Sequence, residues 1–409
     1  MDYHDSDQAR SLAASARSFI DEVVIPTERE HLGGGEVDAS VIENLRKEAR
    51  DRDLYAPQVP TEFGGLGLNF RDVLPTFEET GRSLLGPAAL RVDAPDEGNM
   101  HTLELAGTAE QKERWLRPLV AGEIVSGFSM TEPMNGAGSD PKMIQTTAVP
   151  DGDEWVINGH KWWTTNGPEA DILLVLARTD PDAHPYAGCS IILVPTDTPG
   201  VELVRDIPHM GGEFVGSSHG EFIYDDVRVP AENLLGERNE GFALAQRRLG
   251  PARLTHCMRF SGMANRALSI ATAYLDEREG FGSTLAEKQA LRYELADAET
   301  RLHAARTMIR HASTAVAAGE EARVPVSMAK VYTANVVQDA IDLAVQCCGG
   351  HGVAKDLPLS EFYTAVRSFR IIDGADEVHK RVIARWAFDE VDSSEIEHLP
   401  RFGTPGVRL

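Results

Sequence analysis

Positive charge is what this sequence has least of. Its 40 Lys and Arg stand against 64 Asp and Glu, a net charge of −24, and few of the cations are Lys. That balance argues against non-specific binding to nucleic acid or to an anionic membrane. Scarce Lys in an acidic chain suggests a salt-adapted, halophilic cytoplasm, where concentrated ions screen self-repulsion; an ordinary acidic enzyme from a GC-rich genome is the alternative. Cysteine is scarce too. Cys189, Cys257, Cys347 and Cys348 form no Cys-x-x-Cys pair, and the adjacent Cys347 and Cys348 are poor partners for each other. A reducing cytoplasm fits best. Long apolar runs are missing. The longest aliphatic run, 172–177, is too short to span a bilayer. The acidic start, Met-Asp-Tyr-His-Asp, has no apolar run behind it, so no secretory signal is expected. Repeats, heptads, low-complexity tracts and metal-ligand spacings are also absent.

What is present is a change of pattern along the chain. At 409 residues, two or three domains are expected. Apolar residues recur at helical spacing over 6–30, 39–50, 72–85 and 108–121, broken by Gly33-Gly34-Gly35 and by a Pro/Gly-rich loop at 57–67. Short β-rich runs follow at 146–149, 154–157, 172–177, 190–194 and 221–224, separated by Asp-Gly, Asn-Gly and Pro-Gly turns. Helical pattern returns over 242–277, 285–318, 325–348 and 375–391. The expected fold is α+β: an N-terminal helical domain (1–125), a middle antiparallel β-barrel or sandwich (126–237), a C-terminal four-helix bundle (238–392) and a polar tail (393–409).

Four motifs carry chemistry, the first of them in two segments. Residues 128–140 read F-S-M-T-E-P-M-N-G-A-G-S-D, a turn running into a Gly-rich segment. Glycines let backbone N–H groups approach a flat or anionic ligand; the bland reading is a polar turn between strands. Lys161-Trp162-Trp163-Thr164-Thr165 follows, where an indole can shield a flavin face and a hydroxyl can bond its edge. Arg278-Glu-Gly-Phe281-Gly282, with Gln289 beyond it, reads as a helix–helix corner that can also clamp a pyrophosphate through a forked guanidinium. Gln346-Cys-Cys-Gly349-Gly350-His351 is a helix end and flexible loop, or a close backbone approach to phosphate or ribose. Arg370-Ile-Ile-Asp373-Gly-Ala-Asp376-Glu377 offers either a helix cap at Asp373 or Asp376 or a positioned carboxylate base.

In this order the motifs resemble the acyl-CoA dehydrogenase family over roughly residues 5 to 390. Within it, Lys161-Trp-Trp-Thr, the run from Arg248 through Arg253 and His256 to Arg259, and Asp373-Gly-Ala-Asp-Glu-Val-His look most like the branch of human members ten and eleven. The resemblance implies FAD between the domains and a homotetramer or homodimer whose neighbouring subunit contacts part of each FAD. It implies flavin contacts at Phe128, Met130, Thr131, Ser139, Trp163, Thr165 and Glu377. It implies a pyrophosphate and adenosine side at Arg278, Phe281, Gln289, Gln346, Gly349 and Gly350. Arg253 and Ser139 match positions near the substrate, and Asp373, with Arg253, matches the catalytic centre. The implied reaction is the α,β-dehydrogenation of an acyl-CoA to its trans-2-enoyl thioester, as in fatty-acid β-oxidation. Electrons would leave to an electron-transfer flavoprotein. An acidic surface then requires the site to carry its own positive charge.

This chain departs from the family pattern in three places. Met134-Asn135 is inserted between Pro133 and Gly136, Ala375 and Glu377 replace the usual Thr and Gln, and the usual catalytic Glu is Asp373. The alternative base position, one residue before Arg253, is Ala252. An Asp base also resembles the nitroalkane oxidase branch, and a non-catalytic flavoprotein scaffold is a further alternative.

Overall fold

The computed structural model describes residues 4–33, 37–210 and 218–392. Part of the expected break at 33–35 and the whole expected tail, 393–409, lie outside the described residues. The N-terminal segment is helical because caps and apolar stripes coincide. Ser6 accepts from Ala9 N at the start of α1 (Asp7–Phe19), which continues through a π-turn into α2 (Ile25–His31). Asp38 caps α3 (Ala39–Asp51), and Asn69 caps α4 (Phe70–Gly81), which ends four residues earlier than the 72–85 pattern predicts. Then come α5 (Gly86–Ala89), α6 (Asp96–Ala106), α7 (Ala109–Gln111) and α8 (Arg117–Ala121). The hydrophobic pattern gives no sign of α6. Its buried residues include Asp96, Glu97, Asn99 and Thr102, so its inward face is polar.

The strands are β1 (Ser126–Ser129), β2 (Thr147–Asp151), β3 (Glu154–Thr165), β4 (Ile172–Arg178), β5 (Cys189–Pro195), β6 (Val201–Asp206), β7 (His219–Pro230) and β8 (Leu234–Leu235). The sheet runs β6-β7-β3-β2-β4-β5-β8, with β1 beside β4. It is mixed: β1 lies parallel to β4, while the β2–β3, β3–β7, β4–β5 and β6–β7 pairs are antiparallel. Parallel pairing joins distant segments, so local sequence does not announce it. Both faces of β4 are covered. Ile172, Leu174 and Leu176 join the core shared with the helices; Leu173, Val175 and Ala177 join a second core with Trp155, Phe222 and Tyr224. That is why β4 reads as an unbroken aliphatic run.

The C-terminal segment is α9 (Gly241–Glu277), α10 (Gln289–Ala317), α11 (Arg323–Cys348), α12 (Gly350–Val353), α13 (Leu359–Arg367) and α14 (Asp376–Asp389). The segment expected as a plain corner before α10 forms a small hairpin, β9 (Glu279–Gly280) with β10 (Ser283–Thr284), then a 3-10 turn at Leu285–Glu287. The loop expected after Gly349 is the short helix α12. Helix α9 packs on α4, α6, α10, α11 and α13. Its crossing with α4 needs glycine twice. A Cβ on Gly81 would lie 1.8 Å from Arg259 O, and one on Gly262 would lie 1.8 Å from Glu78 O. Bulk at either place would push α9 away from the polar side of the bundle.

Candidate active site

Strands β1 and β3 are tied edge to edge. Trp162 N donates to Thr131 O at 3.0 Å, and the Ser129, Thr164 and Tyr224 hydroxyls meet at 3.0 to 3.1 Å inside the sheet. Because side chains alternate along a strand, Phe128 and Met130 face away from that hydroxyl cluster and toward the helices. The register shifts between Lys161 and Thr164, and Trp163 there has φ +55°, the strain of a bulge. The bulge leaves the Trp163 indole 39% exposed beside this edge. Phe128, Met130, Thr131, Trp163 and Thr165 therefore come from two adjoining segments. A partly uncovered face of apolar rings and hydroxyls next to α9 suits a flat, polar-edged ring system such as FAD.

The loop that follows is held by a buried ion pair. Lys161 Nζ donates to Glu132 Oε1 (3.0 Å) and to Met130 O (2.9 Å). Glu132 also accepts from the N–H groups of Ala137 (3.2 Å), Gln145 (2.8 Å) and Thr146 (2.9 Å). Burial pushes the Glu132 carboxyl up, but Lys161 and these donors outweigh it and hold it below its ordinary range. The inserted Met134-Asn135 pair forms the tip of a turn closed by Gly136 N to Pro133 O (2.8 Å). Asn135 is left-handed there, φ +79°, and Met134 points into solvent. The insertion thus leaves the Glu132 staple intact. Ser139 is exposed on the same loop.

Asp373 lies in the loop before α14, at φ +55°. Its carbonyl accepts from Arg253 Nε (2.8 Å) and from His379 Nε2 (3.1 Å). Its carboxylate Oδ2 lies 3.1 Å from His256 Nδ1. Burial pushes the Asp373 carboxyl up; the adjoining His256 ring and the Arg253 and Arg248 cations overcome that and hold it well below the usual carboxylate range. Arg253 therefore touches the Asp373 backbone rather than its carboxylate. Arg248 stacks on Phe128, 4.2 Å from the ring centre, and donates to Asn99 Oδ1 (2.9 Å), which links the sheet face to α9 and to the polar face of α6.

His379 is buried with its Nδ1 3.0 Å from Ser327 Oγ. Its Nε2–H donates to the Asp373 carbonyl, and its surroundings favour the neutral ring. Burial first, then the Arg253 cation, push its pKa down to about 4. An unfolded His protonates below about 6.5. The stability this neutral ring contributes is complete above that value and is lost as pH falls toward about 4. We expect wild-type protein to lose up to roughly 3 kcal/mol across that window through this group, and His379→Gln to lose correspondingly less. Urea midpoints at pH 7 and pH 5 check this; equal losses in the two proteins would contradict it.

The other motif residues are elsewhere. Arg278, Phe281 and Gln289 are exposed around the β9–β10 hairpin, with Phe281 97% exposed. Gln346, Gly349 and Gly350 are exposed at the end of α11. Arg278 is 25 residues beyond Arg253 on and just past α9, roughly 37 Å along the helix axis. Glu377 is exposed in the first turn of α14. Its neighbour Asp376 is the buried carboxylate, bound by Lys330 Nζ (3.2 Å), Asn335 Nδ2 (3.0 Å) and Arg370 Nε (3.2 Å). The cap expected from Asp373 or Asp376 is absent: Ala375 is the N-cap, without a side-chain bond. Sequence reasoning gave His256 no role. Its signal was the i, i+3 spacing from Arg253, which puts both on one face of α9.

Three family models match the chain: the acyl-CoA dehydrogenase N-terminal domain over residues 6–123, the middle domain over 127–227 and the C-terminal domain over 239–388. The chain is 44% identical to a protein named "Probable acyl-CoA dehydrogenase FadE2" of Mycobacterium tuberculosis, across 84% of this chain and 85% of that one. It is 36% identical to acyl-CoA dehydrogenase family member 11 of Gallus gallus, across 94% of this chain; it spans only about half (51%) of that longer relative. Among solved structures, butyryl-CoA dehydrogenase from Megasphaera elsdenii superposes with TM-score 0.84 at 28% identity, covering 95% of this chain and 100% of that one. An FAD complex of PigA superposes with TM-score 0.85 at 25% identity, covering 95% and 99%.

Proposed function

The chain belongs to the acyl-CoA dehydrogenase family, and from that premise we propose that it converts an acyl-CoA thioester to the trans-2-enoyl-CoA, with Asp373 as the base. The observation that carries this reading is the placement of the Asp373 carboxylate. It is largely covered and lies beside cations, and its backbone is fixed by Arg253 and His379. One of its oxygens, Oδ2, is buried without an aligned hydrogen-bond donor. Such an oxygen has a lone pair open to an incoming proton, while the neighbouring cations favour its ionised form. The α C–H of a free carboxylate is far too weakly acidic for a carboxylate base. A thioester is more acidic, and hydrogen bonds to its carbonyl in a water-excluding site acidify it further. The buried Arg248 and Arg259 and the partly buried Arg253, all on α9, give a strongly negative protein the local positive charge that a developing enolate needs.

FAD is the cofactor, and when bound it supplies the acceptor for the β-hydride. Phe128, Met130, Thr131, Trp163 and Thr165 would hold its ring. Arg278 and Phe281 lie past the end of α9, too far from Arg253 to serve that same ring end within one chain, Gln289 opens the next helix, and Gln346, Gly349 and Gly350 adjoin His351, whose ring packs on Tyr274 near that end. We therefore assign them to the phosphate and adenosine end of a neighbouring subunit's FAD in a homodimer or homotetramer. An electron-transfer flavoprotein is the proposed external acceptor. Incubation of the holoenzyme with acyl-CoAs of graded length and a dye acceptor tests the reaction. The expected product is lighter than its substrate by two hydrogens. Because the base is Asp rather than Glu, a second reading stands: oxidation of a small acidic carbon such as nitroethane. Oxygen uptake with nitroethane, and no turnover of any acyl-CoA, would favour it.

A further inference from the structure

We propose that His256 is a positioning residue for Asp373: it sets where the shorter carboxylate stands while spending its own proton elsewhere. This inference rests on Asp373 being the base. His256 Nδ1 lies 2.8 Å from Ala252 O, one turn back along α9. A carbonyl only accepts, so Nδ1 carries the hydrogen and the tautomer is fixed. That hydrogen points along the helix. Asp373 Oδ2 therefore touches the ring at 3.1 Å yet has no aligned donor. The ring cannot swing aside. Phe260 and Phe369 flank it at centroid distances of 6.0 and 5.9 Å and pack on each other at 4.9 Å.

The consequence follows from reach. Asp is one methylene shorter than Glu, and a displacement of about 1 Å at a reacting centre costs on the order of 10²-fold in rate. The Asp373 backbone is pinned by Arg253 and His379, so the remaining freedom is in its side chain, and His256 is what that side chain meets. A donor aimed at Oδ2 would stabilise the carboxylate and weaken it as a base. Directing the Nδ1 proton to Ala252 limits that loss.

The test uses FAD-loaded His256→Ala, His256→Asn and Asp373→Asn with an acyl-CoA the wild type turns over. The Asn amide can keep a donor on Ala252. His256→Ala is expected to lose on the order of 10² in kcat with KM within a few fold. His256→Asn is expected to recover most of that loss. Wild-type kcat in His256→Ala, or a kcat in His256→Asn no higher than in His256→Ala, overturns the proposal. If His256→Ala does not fold, a His256→Asn kcat more than about tenfold below wild type overturns it. Full activity in Asp373→Asn would instead overturn the base assignment beneath it.

Discussion

Asp373→Asn is expected to lower kcat for acyl-CoA dehydrogenation by on the order of 10³-fold or more while the protein keeps its fold and its FAD. Asn has nearly the shape of Asp but cannot accept the α-proton. The substitution is structurally mild for a specific reason. Position 373 has φ +55°, a conformation that Asn adopts more readily than most residues. The two bonds that fix this loop, from Arg253 and His379, go to the backbone carbonyl and survive the exchange. Removing a carboxylate also removes a buried anion facing Arg248 and Arg253, so some loss of stability accompanies the change. Circular dichroism and bound-flavin content separate that loss from the kinetic one. Activity within about tenfold of wild type would mean that another group takes the proton.

The second large effect is on stability. Lys161→Met is expected to cost about 3–5 kcal/mol, because it leaves the Glu132 carboxylate buried without its cation. Lys161 is fully buried and Glu132 nearly so, which removes the solvent screening that makes surface pairs weak. The damage should reach function. Glu132 gathers the backbone of Ala137, Gln145 and Thr146, and Lys161 anchors Met130 O, so this pair shapes the loop that adjoins Thr131. Lys161→Met should lose FAD on dilution more readily than wild type, and Lys47→Met, exposed on α3, should not. Denaturant unfolding with and without added FAD checks this. Equal stability of Lys161→Met and wild type would show that the pair is dispensable.

The parts of this site that were legible in the sequence are those written in contiguous residues. Thr131-Glu132-Pro133 and Lys161-Trp162-Trp163 carry their turn and bulge chemistry locally, and β3 and β4 announce themselves by alternation and by an aliphatic run. The illegible parts depend on distant partners. Helix α6 hides because its buried face is Asp96, Glu97, Asn99 and Thr102, residues that satisfy one another only after folding. Strand β6 is exposed along nearly its whole length and shows no alternation. Asp373 and Asp376 look alike as candidate caps, yet Lys330, Arg370 and Asn335 claim Asp376, and the left-handed loop turns Asp373 toward His256. No spacing rule separates the two carboxylates. The partners that do are up to 120 residues away in sequence.

The most direct measurement of the central claim is anaerobic mixing of the FAD-loaded protein with acyl-CoAs of graded chain length, followed by the visible absorbance of the oxidised flavin. The account predicts that at least one acyl-CoA bleaches that band in wild type and that the same acyl-CoA leaves Asp373→Asn unbleached. A wild-type flavin that stays oxidised with every acyl-CoA, or an Asp373→Asn flavin that bleaches as fast as wild type, would contradict it.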